Sequence, residues 1–203
     1  MQLEGKNIAC FRQGKFLFDD VSFCLKPKQA LMVTGVNGAG KSSLLRIISG
    51  MASAAKGNIY WDGKPVSETI ENYVEHMHYL GHSNGIRLGL TIAENLLLAS
   101  KISEQPINMG PVLDILQLST YKHTQTQYLS AGQKRRVALA RILLIPRCLW
   151  IMDEPLTALD IHTQKTLLQH IDTHLQNGGM CVLTSHQPIT LQSAMHELRL
   201  AHV

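Results

Sequence analysis

The chain has 203 residues, 45% hydrophobic, 17% charged and 5% aromatic, enough apolar chain for one globular domain with a sizeable core. Its formal net charge is +4, and no basic block exceeds Lys134-Arg135-Arg136, which argues against a nucleic-acid partner. No run approaches the ~18 apolar residues that span a bilayer. The opening residues lead into an alternating segment rather than a signal-peptide core, and Cys10, Cys24, Cys148 and Cys181 form no C-x-x-C pair. The expected place is therefore the cytosol, with reduced thiols and membrane contact made only through a partner.

Residues 3–25 read as strands, with 16–18 and 21–25 flanking a polar turn at Asp19-Asp20 and an earlier turn at Gln13-Gly14. Phe11, just ahead of that first turn, is either a strand-end core aromatic or a platform for a purine ring. After Pro27, the apolar run 30–33 leads into Gly35-Val36-Asn37-Gly38-Ala39-Gly40-Lys41-Ser42-Ser43, and an apolar helical run follows. Strand, glycine loop and helix stand in the order of a phosphate-cradling P-loop, G-x-x-x-x-G-K-[ST]. Gly35, Gly38 and Gly40 free the backbone to close its N–H groups around phosphate oxygens. The helix start adds its positive dipole end, Lys41 a point charge, and Ser42 a hydroxyl for Mg²⁺. The motif reads as a nucleoside triphosphate site.

Residues 57–63 read as a strand entering the Asp62-Gly63 turn, and 76–80 as another short strand. His76 and His78 share its face, with His82 four residues beyond His78; that spacing could ligate a metal, but ten histidines spread over the chain make chance clustering easy. Residues 85–147 read as helical and are expected to form a sub-domain. Thr91 caps one helix with Glu94 at the capping-box position, Pro111 stands at the first position of another, and Ser130 caps a helix over 134–144. Alternation then resumes. Residues 148–152 and 180–184 are continuous apolar runs, the mark of parallel strands covered on both faces. Between them Ile161, Leu167, Leu168, Ile171 and Leu175 fall on one helical stripe.

Three further motifs narrow the chemistry. Asp153-Glu154 stands at the C-terminal end of a predicted strand, where open α/β sheets place ligands. Asp153 suits a Mg²⁺ contact, and Glu154 suits a general base for an attacking water. Leu129-Ser130-Ala131-Gly132-Gln133 opens a helix whose N-terminus favours an anion. Thr184-Ser185-His186 ends the last buried strand.

Together these resemble the ABC ATPases, whose signature is usually L-S-G-G-Q; here Ala131 replaces the first glycine. The resemblance runs over essentially the whole chain. It implies an α/β fold of the P-loop NTPase, ABC ATPase type: a mainly parallel sheet flanked by helices, an N-terminal antiparallel β part, and one domain over 1–203 with a helical sub-domain at about 85–147. ATP and Mg²⁺ are the implied ligands, His186 the implied γ-phosphate contact, and Asp160, in Ala158-Leu159-Asp160, the implied D-loop residue. Ser130, Ala131, Gly132 and Gln133 of one copy would close over ATP held by a second copy. One departure stands out. Where the family carries a glutamine reaching Mg²⁺ and water, this chain has His82, whose neutral imidazole can accept from water.

The run Tyr79-Leu80-Gly81-His82, with Leu149-Trp150-Ile151-Met152-Asp153-Glu154-Pro155 and Thr184-Ser185-His186-Gln187, resembles the haem-exporter ATPases of bacterial cytochrome c maturation. That resemblance implies a peripheral subunit on the cytoplasmic face of the inner membrane, partnered by the membrane subunit CcmB and other maturation subunits. The alternative is the ATPase of another small exporter, since fold does not fix cargo. A soluble relative acting on DNA or ribosomes would need inserts, tandem halves or basic tracts that this chain lacks. A scaffold that binds nucleotide without hydrolysis is motivated by the missing glutamine.

Overall fold

The computed structural model describes residues 1–201. In chain order the strands are β1 (Leu3–Arg12), β2 (Lys15–Leu25), β3 (Gln29–Thr34), β4 (Lys56–Trp61), β5 (Lys64–Pro65), β6 (Met77–Leu80), β7 (Leu149–Met152), β8 (Met180–Thr184) and β9 (Ala194–Arg199). The α-helices are α1 (Lys41–Ile48), α2 (Ile70–Glu75), α3 (Ile92–Ser103), α4 (Met109–Ile115), α5 (Ala131–Leu144) and α6 (Ile161–Gln176). By internal contacts the chain divides into two compact units, each described by itself. The first holds Met1–Tyr79, Cys148–Pro155 and the chain from Ile171 on; the second holds Leu80–Arg147 and Leu156–His170.

The first unit contains an antiparallel sheet ordered β2-β1-β4-β5 and a sheet ordered β6-β7-β8-β3-β9, in which β3 runs parallel to β8 and β9, and β7 parallel to β8. The expected Gln13-Gly14 turn closes the first hairpin, with φ of 50° and 79°. The expected turn at Asp19-Asp20 does not form. β2 runs straight through both residues, and Asp20 instead takes φ 56° where the β1–β2 register is irregular. Asn7 Nδ2 donates to Asp20 Oδ1 at 2.6 Å, so a bulge satisfies the polar pair that the sequence read as a turn. β7 and β8 are buried along their whole length and β3 over 30–33, as continuous apolar runs require. Leu44, Leu45, Ile47 and Ile48 of α1 pack in one core with Leu3, Ile8 and Phe18 of the antiparallel sheet and Leu31, Val33, Ile151 and Val182 of the other.

In the second unit, α3 and α4 pack on α5 around buried Ile92, Leu96, Leu113, Val137 and Leu139. The Thr91–Glu94 capping box of α3 forms as expected. α4 begins at Met109 after Asn108, two residues before Pro111, whose missing N–H still falls within the first turn and removes no intrahelical bond. Along α6, Leu167, Ile171 and Leu175 are buried, but Ile161 is 85% exposed because it precedes the packed turns. Among the described residues no helix is long and apolar enough to cross a membrane.

Candidate functional site

β3 delivers the glycine loop to the start of α1. Gly40 is the residue preceding that helix, in the left-handed region at φ 95°, and no side chain caps the helix. The first-turn N–H groups therefore face the loop without a side-chain partner, at the positive end of the helix dipole. A Cβ on Gly40 would lie 2.9 Å from the Phe18 ring, so only glycine lets the loop seat against β2. Lys41 is 8% exposed, and its Nζ lies 2.9 Å from the Gly35 oxygen and 3.3 Å from the Val36 oxygen. The ammonium is thus folded over the loop it belongs to. Val36, Asn37 and Gly38 are exposed at the loop's rim, Ala39 is buried, and Ser42 and Ser43 are half-buried in the first helical turn.

Asp153 and Glu154 follow the end of β7 in the same unit. Asp153 is 1% exposed, and its Oδ1 accepts from the Thr184 hydroxyl at 2.7 Å. The same hydroxyl accepts the Glu154 N–H at 2.9 Å. Glu154 sits at φ 47°, a backbone conformation that non-glycine residues reach only under strain. Its Oε1 lies 2.8 Å from His186 Nε2. The Tyr79 phenol is pushed up from its ordinary pKa, first by burial and then by the Asp153 charge, with Arg46 opposing. Sequence reasoning passed over Thr184. The signal was there: a hydroxyl closing the buried run of β8, beside a strand that ends in carboxylates.

Phe11 is 51% exposed and meets Phe16 edge-on with centroids 5.1 Å apart, which overturns the core reading. Within the second unit, the helix behind Ser130 begins at Ala131, three residues before the expected 134. The cause is a capping box: Ser130 Oγ accepts the Gln133 N–H at 3.2 Å, and Gln133 Oε1 accepts the Ser130 N–H at 2.8 Å. A Cβ on Gly132 would lie 2.7 Å from the Ala158 oxygen. Asp160 caps α6, accepting the Thr163 N–H at 2.9 Å as well as its hydroxyl; that N–H is the chief reason its carboxyl is held below the usual value. His82 is exposed, one residue after Gly81, whose carbonyl accepts from the buried Arg135 at 2.8 Å.

Residues 18–157 match the family described as "ABC transporter". The chain belongs to the ABC transporter ATP-binding family. Among similar proteins, the cytochrome c biogenesis ATP-binding export protein CcmA of Yersinia pestis is 42% identical over 200 residues, covering 97% of this chain and 90% of its own. The protein of the same name from Pseudomonas aeruginosa is 41% identical over 195 residues, covering 95% and 96%. A solved structure titled "Structure of ATP binding subunit of ABC transporter" superposes with a TM-score of 0.85 at 25% identity, over 92% of this chain and 80% of that one. Against the usual ABC signature, the L-S-A-G-Q of this chain makes physical sense. Ala131 is the exposed first residue of α5, where a methyl group meets solvent, whereas Gly132 stands where a methyl group has no room.

Proposed function

We propose that this chain is the ATP-hydrolysing subunit of a membrane ABC complex in cytochrome c biogenesis, powering haem export or the release of a haem-loaded chaperone. The chemistry rests on one observation: within one unit, Asp153 and Glu154 are held from Thr184 and His186 at the end of β7, the arrangement expected beside a P-loop lysine. The biogenesis assignment is supported by relatives named CcmA at 42% and 41% identity over nearly the full chain.

In this reading the loop from Gly35 to Ser43 binds the triphosphate through backbone N–H groups, and Lys41 neutralises its terminal phosphates. Ser42 and Asp153 offer a hydroxyl and a buried carboxylate, an all-oxygen donor set that fits Mg²⁺, and these are the residues that would hold it. Bound there, the ion supplies charge neutralisation on the phosphate oxygens. Glu154 takes the proton from the attacking water, His186 orients Glu154 and the γ-phosphate, and His82 assists at the place where ABC ATPases usually carry a glutamine. Phe11, half exposed, offers its ring to the adenine.

Each chain has one P-loop and one signature, which motivates a head-to-tail pair in which Ser130, Ala131, Gly132 and Gln133 of one copy, with Asp160, close over ATP on the other. The chain acts as a single ATPase domain whose helical sub-domain, about 85–147, meets the membrane subunit CcmB on the cytoplasmic face of the inner membrane. The test is a pair of variants. Lys41→Ala loses nucleotide binding. Glu154→Gln binds ATP, accumulates as an ATP-bound dimer and releases phosphate about 100-fold more slowly or worse. Wild-type phosphate release by Glu154→Gln would remove the base from the reading.

A further inference from the structure

We propose that Thr184 is a positioning residue for ATP hydrolysis, its one hydroxyl setting both the carboxylate of Asp153 and the backbone of Glu154. The inference rests on the roles given above to those two carboxylates. Thr184 is fully buried as the last residue of β8, after four buried apolar residues. A threonine hydroxyl has one proton to give and lone pairs to receive. The Glu154 N–H can only donate, so at 2.9 Å Thr184 Oγ1 is its acceptor. The single hydroxyl proton is then committed to Asp153 Oδ1 at 2.7 Å. The direction of both bonds follows from counting donors, and the second is charge-assisted because its acceptor is a carboxylate.

Two consequences follow for the carboxylates. Asp153 is held in rotation about its own side chain, so the edge it offers to a cation is set by β8 and not by the cation. Glu154 is held at φ 47°, a conformation that costs free energy and needs its neighbours to impose it. The bond from its own N–H to Thr184 is such a restraint, and it fixes the direction in which the Glu154 side chain leaves the chain. Nothing local brings these groups together: Met152 on β7 pairs with Leu183 on β8, and this parallel register places Thr184 beside Asp153.

Valine matches threonine in shape and keeps neither bond, while serine keeps both and loses only a methyl group. In Thr184→Val, maximal phosphate release should fall about tenfold or more, as expected for leaving a buried charged acceptor and an N–H without this partner. Half-saturation by Mg²⁺ should rise several-fold, with ATP affinity measured in EDTA unchanged. Thr184→Ser should retain wild-type values within about threefold. A third readout does not involve turnover: the Glu154 amide proton should exchange about tenfold faster in Thr184→Val than in wild type. Wild-type kinetics and Mg²⁺ dependence in Thr184→Val would overturn the proposal, as would a Thr184→Ser variant as impaired as the valine, which would assign the effect to methyl packing. Should Thr184→Val fail to fold, the wild-type Glu154 amide decides: protection supports the bond and free exchange overturns it. Because that amide reports whether or not Glu154 is the base, failure of the hydrolytic reading and failure of this one give different results.

Discussion

His174, on the last turn of α6, lies flat on Trp150, with ring centroids 4.0 Å apart and planes 7° apart. Its Nε2 is 3.1 Å from the Met180 oxygen, so a neutral ring donates there at the start of β8. Burial lowers its pKa below the usual 6.5, with backbone carbonyls of Met180 and Cys148 opposing. The depressed value means that the unfolded chain takes up the proton first as pH falls below 6.5. Stability is therefore full above that pH and declines until the folded-state pKa is passed. Urea unfolding at pH 7.5 and 5.5 should show a larger acid loss in wild type than in His174→Gln, whose amide can still donate to Met180. Equal losses in both proteins would mean that His174 does not carry the effect. At this scale the sequence named Lys41, Asp153, Glu154 and His186, because motif spacing is a local property. It left Thr184 unassigned and Phe11 undecided, because each acquires its meaning from a neighbouring strand.

Among the elements, α5 shows how a few atoms decide a boundary. The capping box of Ser130 and Gln133 draws Ala131, Gly132 and Gln133 into the first turn, so the last three residues of the signature lie inside the helix and not ahead of it. Gly132 then sits against the Ala158 carbonyl, where a Cβ would be 2.7 Å away. Gly132→Ala should cost about 1–3 kcal/mol of stability by overpacking, whereas Ala131→Gly at the exposed position should cost about 1 kcal/mol or less. Denaturant unfolding of the two variants is the measurement, and a Gly132→Ala protein as stable as wild type would refute the contact. The capping box of α3 and the buried strands were legible because capping residues and long apolar runs act through near neighbours. The polar pair Asp19-Asp20 was misread as a turn. In a strand already paired along its length, a left-handed residue is accommodated as a bulge, and pairing on both sides of it outweighs the local preference.

For the whole molecule, the second unit has a cavity of about 180 Å³ lined by Gly85, Ile86, Leu96, Ala99, Ile102 and Arg141. Leu88, nearby in sequence, is 52% exposed and Ile102 76%, so apolar surface here is available to a partner, while Leu90 is half-buried. A photo-cross-linker at position 88 should capture the membrane subunit in the assembled complex. If no position over 83–95 captured it, the proposed docking face would be lost. The sequence alone located the glycine loop, the paired carboxylates, the signature motif and the family, because each is a set of spacings along one covalent chain. Only the tertiary structure decided that Thr184 bridges two residues about thirty positions away, that Gly132 has no space for a methyl group, and that Phe11 stays half exposed. Sheet register and loop packing set those adjacencies, and they depend on the free energy of the folded chain as a whole rather than on any stretch read by itself.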